Sequence, residues 1–300
     1  MKTEKRNLPA SIHQRLLNRA HETGRSFNEL LQYYGMERLL YRLSVSEHAD
    51  KFILKGALMF NVWGLASLRP TRDIDLLGRT SNAIESIAEI FGQVCKSNAE
   101  ADGLMFDDAL QSETIKEDAD YAGVRITVSA YLGKTKFPIQ IDIGFADVVT
   151  PAPERLEYPT LLDYPAPHLY GYPRETVLAE KIQAMIALGM SNSRMKDFYD
   201  VWQLLERFEF DGKVVQSALE KTFENRNTAL PQRDHVIFSD SFGESKAIQW
   251  NAFMRKLKIG DAVEMETILD VIRRFLAPVM DASQQGVVFD RKWGNGWHGW

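Results

Sequence analysis

The stretch Arg69-Pro70-Thr71-Arg72-Asp73-Ile74-Asp75-Leu76-Leu77 constrains this chain more than any other. Its two carboxylates stand at i and i+2 inside an apolar run. Side chains two apart on a strand share one face, while those between them point to the other. Asp73 and Asp75 are therefore expected at one site, with Ile74 and Leu76 anchoring the strand from the core side. A third acid in the same setting, Asp142 in Pro138-Ile139-Gln140-Ile141-Asp142-Ile143, is a candidate to approach the pair from a neighbouring strand.

Two carboxylates about 5 Å apart repel by roughly 3 kcal/mol at an effective dielectric near 20, so three mutual pairs approach about 10 kcal/mol. That is on the scale of a whole domain's stability, roughly 5–15 kcal/mol. Such a cluster requires a proton or a cation. Oxygen-only ligands that leave room for phosphates and water suit Mg²⁺, with Mn²⁺ as the related choice. Paired ions of this kind activate an attacking hydroxyl and stabilise the leaving oxygen in phosphoryl and nucleotidyl transfer. An isolated Asp-x-Asp reads as solvated acids that never meet; the apolar context of both acidic segments is what argues for a site.

A chain of 300 residues at 45% hydrophobic and 26% charged has the composition of a folded globular protein. Cys95 is the single cysteine. It falls in the helical pattern Ile84, Ile87, Ala88, Phe91, Val94, and reads as a core residue, so neither a disulfide framework nor a thiolate metal site is available. The first residues lack an apolar targeting core, and no run approaches the length of a membrane span. A soluble cytoplasmic protein with no membrane partner is expected. The net charge of −5 argues against non-specific coating of nucleic acid, which draws on dense Lys and Arg. The carboxylate excess lies ahead of residue 181, and a local RNA groove is compatible with it.

Residues 1–165 read as a mixed α/β domain preceded by helices. Ser26-Phe27-Asn28-Glu29 has the form of a capping box. Residues 52–55 suggest a short strand, Gly56 a turn into a helical run, Asp73–Leu77 the next strand, and Ser81 and Asn82 the cap of a helix to about Ser97. Residues 124–129 and 137–145 alternate with period two. On the latter, Gln140, Asp142 and Gly144 share one face. Between 151 and 173 six prolines punctuate the chain, which suggests a linker or wrapping segment. Residues 166–300 read as a helical domain with helices over 175–188, 195–208, 213–224, 244–257 and 263–279, the last ending near Pro278. The tail Trp293-Gly294-Asn295-Gly296-Trp297-His298-Gly299-Trp300 is open to three readings: tucked onto the body, bound to a partner, or frayed.

Lys181 lies inside the apolar stripe Val177, Leu178, Ile182, Met185 and Leu188. It either snorkels to the rim or grips a phosphate. Arg194 with Asp197, and Lys196 with Asp200, have the spacing of a surface charge ladder worth tenths of a kcal/mol, which spacing alone favours. Asp197 could instead hold the Lys181 ammonium. Lys55 and Gly56 precede a helical run whose backbone N–H groups can receive phosphate oxygens, although Lys-Gly-Ala by itself reads as an ordinary strand end. Arg69 and Thr71 lie at the lip of the acidic strand. The six histidines show no metal-ligand spacing, and neither a Gly-x-Ser-x-Gly elbow nor a Walker A loop is present.

With Leu54-Lys55-Gly56-Ala57, Arg69 to Leu76, Ile141-Asp142-Ile143, Glu180-Lys181-Ile182-Gln183-Ala184 and Arg194-Met195-Lys196-Asp197-Phe198-Tyr199-Asp200 in one order, the chain resembles the AbiEii-type nucleotidyltransferase toxins, relatives of the MenT toxins. The resemblance covers roughly residues 50–205. It implies a DNA polymerase β-like core with a mixed sheet, joined to a helical domain that completes the active site. It also implies Mg²⁺ dependence, NTP as substrate, an RNA acceptor with the tRNA end foremost, and a cognate antitoxin in a bacterial toxin-antitoxin or phage-defence pair. By position, Asp73 and Asp75 match the metal-binding pair, Asp142 the third acid, and Lys181 and Asp197 the helical-domain lysine and aspartate of the active site. Lys55, Gly56, Arg69, Thr71, Lys181 and Lys196 form the expected nucleotide-binding set. One departure is visible: Ala57 stands where the family has a second glycine, and a positive φ there would strain an alanine.

The expected function is Mg²⁺-dependent addition of nucleotides to an RNA 3′ end. The alternatives are nucleotidylation of a small molecule or protein, and a non-catalytic nucleotide- or RNA-binding module on the same fold, of which Ala57 would be the mark.

Overall fold

The computed structural model describes residues 7–65, 70–118, 121–257, 263–294 and 299–300. The chain forms two compact units, Met1–Ala146 with Glu154–Gly171, and Asp147–Pro153 with Tyr172–Trp300.

The first unit opens with α1 (Leu8–Thr23) and α2 (Phe27–Ser44). Asn7 and Ser26 cap them, accepting from the backbone N–H of Ala10 and Glu29, and Gly24 ends α1 in the left-handed region that glycine enters without steric cost. There follow β1 (Phe52–Lys55), a tight turn over Gly56–Leu58, α3 (Met59–Val62), β2 (Asp73–Gly78) and α4 (Ile84–Lys96). The expected cap of α4 is displaced: Ala83 occupies the N-cap position, and the Ser81 hydroxyl accepts from the Ala83 N–H instead. Then come β3 (Leu104–Phe106), β4 (Gln111–Asp118), β5 (Tyr121–Leu132), β6 (Thr135–Gly144), β7 (Glu154–Glu157) and β8 (His168–Gly171).

These strands make one mixed eight-stranded sheet in the order β3-β5-β6-β2-β1-β8-β7, with β4 also paired to β5. β2 runs parallel to β6 and antiparallel to β1. Period-two alternation sends Ile74, Leu76, Ile126, Val128, Ile139, Ile141 and Ile143 to one face, where they pack with Leu31, Tyr34, Leu39, Phe91 and Val94 of the helices. The opposite face is left to the polar residues between them.

The proline-punctuated stretch is no plain linker, because residues 154–171 return to the sheet as β7 and β8 and cover the β1 edge. The boundary expected near residue 165 falls inside this return. β3 and β4 were not legible as strands. β4 is a polar edge strand held through backbone pairing to β5, and exposed edges carry charge in place of an apolar pattern.

The second unit contains α5 (Arg174–Leu188), α6 (Met195–Arg207), β9 (Phe210–Asp211), α7 (Gly212–Asn225), α8 (Asp240–Leu257), α9 (Met265–Gln284) and β10 (Lys292–Trp293), with β9 and β10 antiparallel. α9 does not end at Pro278. A helix can give up one hydrogen bond at a proline, and burial of Phe275, Leu276, Val279, Met280 and Ala282 along one face carries it through. The tail tucks in: Trp293 is fully buried with its indole N–H donated to the Leu205 carbonyl, and Trp300 donates to the Phe275 carbonyl and stacks on that ring. Trp297 lies outside the described residues.

Within the first unit the buried Arg42 guanidinium makes a two-pronged pair with Asp102, at 2.6 and 3.1 Å, and lies over the Phe106 ring. Removing one partner of a buried pair leaves a charge in low dielectric. Asp102→Ala is expected to lower stability by about 3–5 kcal/mol, read as a lower urea midpoint at an unchanged slope.

Candidate active site

The register of β2 against β6 decides the site. Asp73 lies opposite Gln140 and Asp75 opposite Asp142, so the Asp-x-Asp of one strand and the Gln-x-Asp of the next fall on the same face one strand spacing apart. Each of Asp73, Asp75 and Asp142 offers one carboxylate oxygen, and the three oxygens lie within 4.8 Å of one another. Asp142 is buried; the other two are half-buried. An all-oxygen donor set of this charge fits a hard divalent cation.

Neighbouring groups fix these carboxylates. The Thr71 hydroxyl donates to Asp73 Oδ1 at 2.5 Å, and Thr71 is itself held by its N–H, which donates to the Tyr33 hydroxyl at 3.0 Å. Thr71 thus orients one acid of the cluster. The buried Lys55 sits opposite Asp75 in the β1–β2 register. Gly56 has φ +69°, and a Cβ there would overlap the Asp75 carboxylate, so the glycine is required both by its backbone and by the close approach of Asp75. Ala57 lies in the turn after it. Among the described residues Asn227 is the sole non-glycine with positive φ, so Ala57 carries no such strain. Arg69 lies outside the described residues.

Arg125 on β5 belongs to this site and has no counterpart among the expected residues. It pairs in register with Asp142 on one side and with Glu113 of β4 on the other. Its Nε donates to Asp142 Oδ1 and its Nη2 to Oδ2, both at 2.8 Å, while Gln140 Nε2 donates to the same Oδ2 at 3.1 Å. The hydrogen bonds to Asp142 raise the Arg125 pKa above its ordinary value despite some desolvation. A charged residue inside the alternating run 124–129 was the available signal. The hairpin register that brings it to Asp142 was not.

A second constellation lies in the second unit. The Lys181 ammonium donates to Asp197 Oδ1 and Asp200 Oδ2, each at 2.8 Å, and Arg194 Nε approaches Asp197 Oδ2 at 2.6 Å. The side chains of Asp197 and Asp200 are 1% and 2% exposed, which overturns the surface-ladder reading; Lys196 is exposed, and Asp200 turns inward to Lys181. Burial alone would raise the Asp197 carboxyl, but the charges of Lys181 and Arg194 outweigh it and hold the pKa below the usual range. Cys95 packs half-buried against the first unit's core, and burial pushes its thiol up to about 12, so it stays a neutral thiol near pH 7.

The model of the nucleotidyl transferase AbiEii toxin family, a type IV toxin-antitoxin system, matches residues 38–271. The chain belongs to the AbiEii family. The match takes in both constellations, the three acids on the sheet and the lysine of α5 held by two aspartates of α6. AbiEii membership makes the protein a nucleotidyltransferase and the toxin member of a toxin-antitoxin pair. Among solved structures, it resembles JHP933 from Helicobacter pylori, with TM-score 0.53 and 14% identity over 87% of this chain and 97% of that one. A second H. pylori structure, described as a candidate nucleotidyltransferase, aligns with TM-score 0.51 and 14% identity over 86% and 98%. At this identity the likeness concerns the fold. No curated protein matches the AbiEii chain in sequence.

The AbiEii lysine gives a pH-dependent prediction. The lowered pKa of Asp197 contributes stability that is present above the unfolded carboxyl range, about pH 4, and is lost as the pH falls through the folded value. Lys181→Met removes countercharge from two buried carboxylates and should cost about 3 kcal/mol or more at pH 7. Because protonation relieves that penalty, the gap from the native protein should narrow as the pH falls toward about 4.5. Chemical denaturation at both pH values checks this; a gap independent of pH contradicts it.

Proposed function

We propose that this AbiEii toxin adds nucleotides from an NTP to the 3′ end of an RNA, the tRNA acceptor end foremost, using Mg²⁺ (or Mn²⁺) held by Asp73, Asp75 and Asp142. The observation that supports this most is the in-register placement of the three acids, with ligand oxygens within 4.8 Å of one another. A cation held there would neutralise the charge of the triphosphate and of the leaving pyrophosphate.

The chain's own residues take distinct parts. Thr71 keeps Asp73 in one rotamer, and Gly56 lets the β1 turn approach Asp75. Lys55, Gly56 and Arg69 are proposed to receive the nucleotide's phosphates, with Lys181 and Lys196 as further cations for the triphosphate and Asp197 holding Lys181. The RNA 3′-hydroxyl oxygen attacks the α-phosphorus, its proton passes to solvent water, the bond to the bridging oxygen breaks, and pyrophosphate leaves. Asp142 assists by charge and orientation rather than by keeping the hydroxyl's proton, since Oδ2 already accepts two hydrogen bonds and Oδ1 one. The non-catalytic alternative rested on Ala57, and the unstrained backbone there removes its support. An antitoxin partner follows from the family; a role in phage defence is part of the same proposal.

Transfer of each α-labelled NTP to total bacterial RNA tests the reading. The native protein should label tRNA. Asp73→Ala and Asp75→Ala should each lose about 100-fold or more of that activity, because preorganised charge supplies most of such a rate, while keeping the native circular dichroism spectrum. Retained transfer in the variants, or label appearing only on small molecules or protein, contradicts it.

A further inference from the structure

Arg125 is built into the metal face rather than into the core. Residues 124, 126, 128 and 130 of β5 are buried, whereas Arg125 and Thr127 alternate to the side that carries the acids. A rung of charges crosses five strands there: Lys55, Asp75, Asp142, Arg125 and Glu113, each opposite the next in register. The guanidinium fork occupies both oxygens of Asp142, and Gln140 adds a second hydrogen bond to Oδ2. A carboxylate has about four lone-pair sites. Three are taken, so the remaining one is on Oδ1.

We propose that Arg125 is the positioning residue of the metal centre: it holds Asp142 so that Oδ1 alone is offered to a divalent cation, and its resident charge lowers the site's affinity for the free ion. Asp73 and Asp75 are then the primary ligands. The cation is loaded chiefly with the triphosphate, whose own oxygens supply the charge that Arg125 has cancelled. The inference rests on the metal-centre reading above and adds to it a residue and a loading order. Two effects of removing Arg125 oppose each other. Lost orientation of one carboxylate weakens binding by a rotamer's entropy, and lost repulsion between a guanidinium and a divalent ion strengthens it. At this range the repulsion is the larger.

Mn²⁺ binding without nucleotide, followed by electron paramagnetic resonance, separates these effects. Arg125→Gln should bind Mn²⁺ about tenfold more tightly than the native protein. Arg125→Lys keeps the charge without the fork, so its Mn²⁺ affinity should stay within about twofold of native. Its kcat for transfer should nevertheless fall at an unchanged KM for NTP, which a merely structural role would not produce. An unchanged or weaker affinity in a folded Arg125→Gln, or a loss of affinity in Arg125→Lys, overturns the inference. Asp75→Ala is the reference. If native and Asp75→Ala proteins bind Mn²⁺ alike, the metal-centre reading itself fails and this inference with it.

Discussion

Three carboxylates with oxygens inside 4.8 Å of one another repel by about 10 kcal/mol when all are ionised, and the first unit of this protein is organised around that repulsion. The parallel pairing of β2 with β6 imposes it, because the hydrophobic alternation that sends Ile74, Leu76, Ile141 and Ile143 into the core leaves Asp73, Asp75 and Asp142 no other face. Slipping the register by one residue would bury the acids and expose the isoleucines. The core therefore holds the charges together. Lys55 and Arg125, at either side of the acids on the same rung, place positive charge where the sheet can bear it. The difference left over is what a divalent ion would supply.

The second unit solves a related problem with opposite charges. Lys181 on α5 is only 12% exposed, and two carboxylates from α6 at i and i+3 close on it, with Arg194 balancing the second oxygen of Asp197. A lysine so held cannot swing among rotamers. Its ammonium is presented in one direction, the preorganisation that the proposed role in phosphate binding requires. The tail serves the same unit structurally, since Trp293 and Trp300 both close on Phe275.

Much of this was legible from residue spacing. Asp73, Asp75 and Asp142 declared themselves because carboxylates at even spacing inside apolar strands must line up on the one face the core does not use, and the strands came out where the alternation put them. Lys181 announced itself as a charge on an apolar stripe. What escaped was whatever depends on pairing between distant segments. The β5–β6 register makes Arg125 a partner of Asp142, and the packing of α5 on α6 turns Asp200 from a surface-ladder member into a buried ligand of Lys181. β4 escaped because an edge strand needs no apolar pattern, and the passage of α9 through Pro278 because tertiary burial outweighed one lost hydrogen bond. Strain at Ala57 is avoided by the turn itself, which places the left-handed residue at Gly56.

The divalent metal centre formed by Asp73, Asp75 and Asp142 together is the central claim. Anomalous diffraction from crystals grown with Mn²⁺ and a non-hydrolysable NTP tests it most directly. The expected result is a peak with oxygens of Asp73 and Asp75 at about 2.1 Å and one oxygen of Asp142 facing it. A nucleotide bound with no peak at these residues, or a peak held by other side chains, would contradict it.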